Sequence, residues 1–308
     1  KAGREVLFAP ARNVPGFLVK GNKYRGDMKA IPSSWGNGIT LINVLPMEDY
    51  LKGVVPSEIV PSWRMDAIKA QAVAARTYAT YHRNGYRSSG YDVTDDTRTQ
   101  VYRGFSAETA ATNRAVSETA GEVVTYAGKP IDALFHSSGG GFTENSENVW
   151  GSVIPYLRGV KEESSTYLMT PWKKTMTMAS FTKSLENAGY KIGDLKSIKL
   201  SHLKKGEANH SSDRGISGRV KSVVFVGKKG RATVSGERLQ RLYGLDSTLF
   251  DISAKGKELT ITGYGYGHGL GLSQWGAEAM AEKHGDGKNY YKTILSHYFT
   301  GTKIEKIY

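Results

Sequence analysis

A single carboxyl group, Glu58, stands between two apolar pairs, Val54-Val55 and Ile59-Val60, in a stretch punctuated by Pro56 and Pro61. A carboxyl in partly apolar surroundings is the raw material of a general acid, because desolvation raises its pKa toward working pH. The start of the helix expected just downstream acts in the opposite direction, so the sequence leaves the sign of the shift open. A surface glutamate near a helix start is the plainer alternative. Lys69, Arg76 and Arg83 recur every seven residues, which keeps successive side chains within about 20° of each other on a helix. That stripe offers cationic donors to an anionic or polar substrate, or forms an ordinary solvated face. Gln71 lies about 200° around the helix from Lys69 and shares a ligand with it only where the helix starts later or the ligand wraps its end.

Two further segments carry groups of interest. His136 precedes Ser137-Ser138-Gly139-Gly140-Gly141, a loop of backbone donors, and is a cleft-lining candidate. The run from Gly263 to Gly276, which contains His268 and Gln274, alternates glycine with larger residues. Read as a strand, it has one bare face that a backbone or a flat sugar ring can approach. It lacks the third glycine of the dinucleotide fingerprint and the Gly-Lys-Ser/Thr of the phosphate loop, so nucleotide binding is disfavoured. His268 fits a base, a ligand or a structural donor. The Gly-x-Ser-x-Gly elbow and the His-Glu-x-x-His zinc helix are both missing. Trp150, Trp172 and Trp275, each beside glycine or proline, suit stacking on sugars, although most aromatic residues serve cores.

These groups need a scaffold. The chain of 308 residues carries a formal charge of +13, 36 Gly, 9 Pro and no Cys. That excludes collagen-like repeats, disulfide scaffolds, thiolate zinc sites and cysteine nucleophiles. The basic residues are spread along the chain without any helix-turn-helix or RNA-recognition signature, so the reading is no nucleic acid; an anionic wall polymer or membrane surface explains the charge equally well. No stretch approaches the roughly 18 apolar residues of a membrane span.

Short strands and a Gly21-Asn22 turn open the chain, and Pro46 to Pro61 reads as a shaped loop or short helical turn. The strongest helix pattern runs from Ser62 to Asn84, with a buried alanine-rich face. An edge strand is expected at Gln100 to Arg103, a helix at Ala107 to Thr119, and a hairpin from Glu122 to His136. Farther on come a helix at Phe181 to Ala188, a hairpin from Val220 to Val234, a helix at Glu237 to Tyr243, a strand at Leu259 to Thr262, and helices at Ser273 to Lys283 and Tyr290 to Phe299. The expected class is α+β: short antiparallel strands and hairpins with several helices, one main domain over residues 1–308 and a polar inserted lobe near Lys161 to Asp213.

Leu45 to Glu58, Lys69 to Tyr78, Thr99-Gln100-Val101-Tyr102, His136 to Gly140, Trp150 and Gly265 to Ala277 together closely resemble the stage II sporulation protein D family. The resemblance implies a peptidoglycan lytic transglycosylase that cuts glycan strands after an amidase has removed their stem peptides, during spore engulfment. It places the catalytic acid on Glu58 and puts Lys69, Gln71 and Arg76 at the active cleft. With His136, Trp172, His268 and Gln274 these complete the candidate substrate contacts. It also implies an extracytoplasmic protein held at the engulfing septum by an N-terminal membrane anchor outside this sequence, working with the stage II amidase P and membrane protein M. Some relatives are amidase modifiers, so a non-catalytic peptidoglycan-binding module is the alternative. Other relatives hold zinc through a His and two Cys in the segment matching Arg87 to Thr99. Here Thr99 stands where the last Cys would be, and the expectation is no metal and no cofactor.

Overall fold

In this computed structural model the described residues are 5–12, 16–34, 36–163, 166–285, 287 and 289–308. The architecture is α+β, with short strands in several small, mostly antiparallel sheets. Two compact units make it up: residues 1–133, 284–295 and 302–308 form the first, residues 134–283 and 296–301 the second.

The first unit begins with β1 (Val6–Phe8), β2 (Phe17–Val19), β3 (Asn22–Tyr24), β4 (Asp27–Pro32) and β5 (Ile39–Val44). Strands β1, β4 and β5 form one antiparallel sheet. The β2–β3 hairpin turns through Lys20 and Gly21, at φ 48° and 84°, the doubly positive pair that matches the twist of the flanking strands.

The segment expected as a shaped loop or short helical turn is largely a three-turn helix: α1 spans Met47–Glu58. Its prolines are compatible with that. Pro46 is the N-cap, Pro61 lies past the end, and Pro56 falls in the last turn, where it forfeits one backbone bond. Ser57 Oγ donates to the Gly53 carbonyl at 3.1 Å. Helix α2 (Met65–Tyr81) starts later than the sequence pattern predicts, and its alanine face is buried as expected. Helix α3 (Ala110–Glu118) is capped by Thr109, whose side chain accepts from the Thr112 N–H. Then come β6 (Glu122–Tyr126) and the two-residue β7 (Lys129–Pro130). The expected hairpin ends there.

Residues 100–103 are not a strand. They are pinned by side chains against α1 and α2, and Tyr102 lies flat on Gly53, where an added Cβ would fall 2.5 Å from a ring carbon. Gly53→Ala is therefore expected to destabilise the first unit by about 1–3 kcal/mol, the usual range for overpacking. Urea unfolding checks this, and a Gly53→Ala/Tyr102→Leu double variant should recover part of the loss.

The second unit holds β8 (Phe135–His136), α4 (Ser146–Trp150), α5 (Thr166–Met169), β9 (Trp172–Thr177), α6 (Met178–Asn187) and β10 (Leu195–Lys199). It continues with β11 (Ser222–Gly227), β12 (Arg231–Ser235), α7 (Gly236–Tyr243), β13 (Phe250–Lys255), β14 (Glu258–Gly263), β15 (Leu272–Ser273) and α8 (Gln274–His284). The β11–β12 hairpin forms as read, and β10 joins its edge; β9 pairs with β14. Phe181, Phe225, Val234, Leu239, Phe250 and Ile261 centre the core between these sheets. Strand β8 pairs in parallel with β15 rather than closing the hairpin from β6. Helix α9 (Tyr290–Tyr298) and β16 (Lys303–Lys306) end the chain, with β16 antiparallel to β6 in the first unit.

The glycine-alternating run is not a strand over its length. Gly265, Gly267, Gly269 and Gly271 have φ of 66°, 94°, 83° and 67°, the left-handed region that side chains with a Cβ avoid. Each also lies under a close neighbour. Added Cβ atoms would meet the Ser138 carbonyl at 2.7 Å, His136 Cβ at 3.1 Å, the Arg219 guanidinium at 2.2 Å and the Leu134 carbonyl at 2.3 Å, respectively.

Candidate active site

Glu58 is the last residue of α1, half-buried, at the end of the helix whose dipole disfavours an anion. Its Oε1 accepts the Val101 N–H at 3.2 Å. Burial pushes its pKa above the ordinary carboxylate value, and the bond from Val101 opposes this without cancelling it. The sign left open by the sequence is thus resolved upward by burial. Tyr50 and Tyr78 are close enough to respond to its charge. Desolvation first and Glu58 second raise Tyr50, while desolvation, Asp132, Tyr86 and Glu58 raise Tyr78 to about 12.

The Thr99 to Tyr102 motif builds the wall beside this carboxyl. Tyr50 donates to Gln100 Oε1 at 3.2 Å, and Gln100 Nε2 donates to the Ala75 carbonyl at 3.3 Å. Tyr102 donates to Asn43 Oδ1 at 2.7 Å, and the Arg103 N–H to the Gly53 carbonyl at 3.2 Å. Side chains on both flanks anchor the backbone so that the N–H between them faces Glu58.

Arg76 and Lys69 are placed differently from the sequence reading. Arg76 is fully buried, and its guanidinium donates to both Glu48 oxygens at 2.9 and 2.6 Å and to the Val116 and Glu122 carbonyls at 3.1 Å each. It ties α2 to α1 and α3 instead of facing a ligand. Burial alone would raise Glu48, but Arg76, Tyr308 and the Gly121 N–H outweigh it and hold that carboxyl below its ordinary range. Lys69 pairs with Glu118 at 2.5 Å, and Gln71 is buried. The basic stripe therefore does not form one open face, because α2 is enclosed on the side that carries Arg76.

Of the other carboxyl groups, Asp96 is bonded to Arg98. Glu147 pairs with Arg158. Glu144 accepts from Asn145, Asn148, Ile216 and Ser217. Asp95 remains exposed and near enough to Tyr50 to act on its titration.

Residues 87–99 contain no His or Cys, and their Thr94, Asp96, Arg98 and Thr99 side chains bond to one another. This donor set does not fit zinc. Among the described residues no three His, Cys, Asp or Glu side chains converge on a point that could hold a metal ion. No helix of the described residues is long and apolar enough to cross a membrane.

In the second unit Trp172, expected on a sugar, is instead core: it is 9% exposed, and its Nε1 donates to the Gly265 carbonyl at 3.1 Å. His136 is buried, and burial, then His268 and Arg219, hold its pKa well below the ordinary value. Its Nδ1 donates to the Leu270 carbonyl at 3.1 Å. His268 is a structural donor, with Nε2 on the Phe135 carbonyl at 3.1 Å and Nδ1 accepting the Leu270 N–H at 3.0 Å. Gln274 is buried at the start of α8. Open aromatic groups here include Tyr266, Trp150, whose ring centre is 6.4 Å from that of His268, and Tyr167, which stacks on Trp275 at 4.0 Å.

A family model described as stage II sporulation protein matches residues 36–126, and one described as a domain of unknown function matches residues 139–271. Stage II sporulation protein D of Bacillus subtilis is 34% identical, over 85% of this chain and 75% of its own length. The chain belongs to the stage II sporulation protein D family. An uncharacterised protein of Brachyspira hyodysenteriae is also 34% identical, over 94% of this chain and 74% of its own. A Bacillus subtilis protein named amidase enhancer is 33% identical over 82% of this chain, which spans 40% of that longer protein. The first family match encloses α1, α2 and the Thr99 to Tyr102 wall, so the geometry around Glu58 lies within the family's own segment.

Proposed function

We propose that this family member is a peptidoglycan lytic transglycosylase acting on the MurNAc–GlcNAc bond of peptide-free glycan strands. One observation carries the reading: a half-buried carboxyl, Glu58, whose pKa burial raises and which accepts a backbone N–H. Protonated Glu58 gives its proton to the glycosidic oxygen as the bond to the muramic acid C1 breaks. As a carboxylate it then accepts the proton of that sugar's C6 hydroxyl, which attacks C1 and closes a 1,6-anhydro ring. No water is consumed, and the nucleophile is already tethered, so one carboxyl group suffices where a hydrolase uses two.

In this reading Arg76, Gln71, Gln274, His136 and His268 hold the frame, and Lys69 sits at its edge. The family names support a sporulation and cell-wall setting; we place the protein outside the cytoplasm, on a membrane anchor and alongside amidase P and membrane protein M, as part of this proposal. The test is mass spectrometry of peptide-free strands after incubation. Anhydro-muramic ends should appear with wild type and vanish with Glu58→Gln while strand binding survives. A second reading, a non-catalytic module that enhances a partner amidase, draws on the relative named amidase enhancer. It prevails if wild type binds strands and yields no such ends.

A further inference from the structure

The first unit contains a groove of about 1260 Å³ between the β4–β5 sheet and residues 83–103. That exceeds the roughly 300–1,000 Å³ usual for small-ligand sites and suits a segment of polymer. Six cations line it: Lys20, Lys29, Arg83, Arg87, Arg98 and Arg103, against two anions, Asp92 and Asp95. Lys29 pairs with Glu5 and Arg98 with Asp96. Among the described residues no ion pair engages Lys20 or the guanidinium groups of Arg83, Arg87 and Arg103, and the three arginines are exposed. Tyr24 and Tyr91 supply partly exposed aromatic surface between these charges, with the buried Tyr50 and Tyr102 behind them. Tyr50, on the groove wall, feels the charge of Glu58, and Arg103 stands two residues past Val101, whose N–H donates to that carboxyl.

We infer that this groove reads the carboxylates of an anionic glycan, with Arg83, Arg87 and Arg103 as the specificity-determining residues. The inference rests on the glycan reading above and adds to it. Each muramic acid bears a lactyl group, masked by an amide while the stem peptide is attached and a free carboxylate once the peptide is gone. Arginine offers a planar fork of donors to such a group, whereas a neutral sugar chain gives it nothing charged to pair with. Arg76 and Lys69, the cations the sequence offers for this task, are engaged by Glu48 and Glu118. The groove arginines take it over.

The test uses the Glu58→Gln protein, so that no strand is cut, and measures affinity at fixed moderate salt for three probes. These are peptide-free strands, the same strands with their carboxyls converted to methylamides, and chitin hexasaccharide. The carboxylate strands should bind about tenfold or more tighter than the methylamides, with an affinity that falls as salt rises. Adding Arg83→Gln, Arg87→Gln and Arg103→Gln should reduce that preference to about twofold or less, leave chitin binding within about twofold, and leave the circular dichroism unchanged. Equal binding of the carboxylate and methylamide strands overturns the inference. So does a preference that survives the three substitutions, or a parallel loss of chitin binding. Anhydro ends formed by wild type without carboxylate preference would leave the enzymatic proposal standing and this one refuted; preference without cutting would do the reverse.

Discussion

Glu58→Gln is expected to lower turnover on peptide-free strands by about 10²–10⁴-fold, the contribution of a positioned general acid. Glutamine keeps the shape and an oxygen for the Val101 N–H but has no acidic proton to give. Affinity for strands should change little, so the loss falls on kcat rather than on KM. The wild-type pH profile follows from the sign of the shift. Burial raises the Glu58 pKa, the donating form is the protonated one, and the rate should fall as pH rises through that raised value. Initial rates of anhydro-end formation, followed from acid to alkaline pH, check both points. A rate that stays flat through this range, or a Glu58→Gln protein that cuts normally, removes Glu58 as the acid.

Arg76→Met should destabilise the first unit by about 3–5 kcal/mol, because it leaves the Glu48 carboxylate behind without its principal partner. The wild-type pair is bidentate, and Arg76 is wholly removed from water. Adding Glu48→Gln to Arg76→Met should recover part of the loss, since the stranded charge is then gone. Acid titration gives an independent sign. The folded pKa of Glu48 lies below its unfolded value, so its stabilisation is present above the unfolded value and is lost as pH falls through the folded one. The Arg76→Met variant should show less of that acid-dependent loss. Urea midpoints with unchanged slope measure all of this, and a loss below about 1 kcal/mol would mean that the pair behaves like an exposed one.

The sequence was legible where the deciding contacts are local. The β11–β12 hairpin and the alanine face of α2 follow from neighbours within a few residues, and both form; the turn read at Gly21-Asn22 forms one residue earlier, at Lys20-Gly21. It was opaque where distant partners decide. Pro46 and Pro61 looked like the ends of a loop, yet one caps α1 and the other lies past its end, and α1 gains its place from Val54 and Val55, which are buried. Arg76 looked available because its partner, Glu48, is 28 residues away, and nothing in the spacing of α2 announces it. Trp172 beside proline looked like a sugar platform, but the edge position of β9 against β14 turns it into the core. Glu58 itself was found by its apolar flanks. Its electrostatic sign was not, because that depended on how far tertiary packing buries it. Of the groove arginines only Arg83 stood out, as the last member of the basic stripe; Arg87 and Arg103 did not, since a groove needs the β4–β5 sheet opposite them.

The four left-handed glycines at 265, 267, 269 and 271 have a consequence for anyone reading variation in this chain. Random mutagenesis should find intolerance at every second residue there, a rhythm ordinarily taken as the signature of a half-buried extended segment. The cause is different: each odd position forbids the first carbon of any side chain, whatever its polarity, so serine and alanine should fail there as badly as leucine. A covariation or burial-based reader would assign a sheet to this stretch, and the error would come from mistaking a steric prohibition for a hydrophobic one.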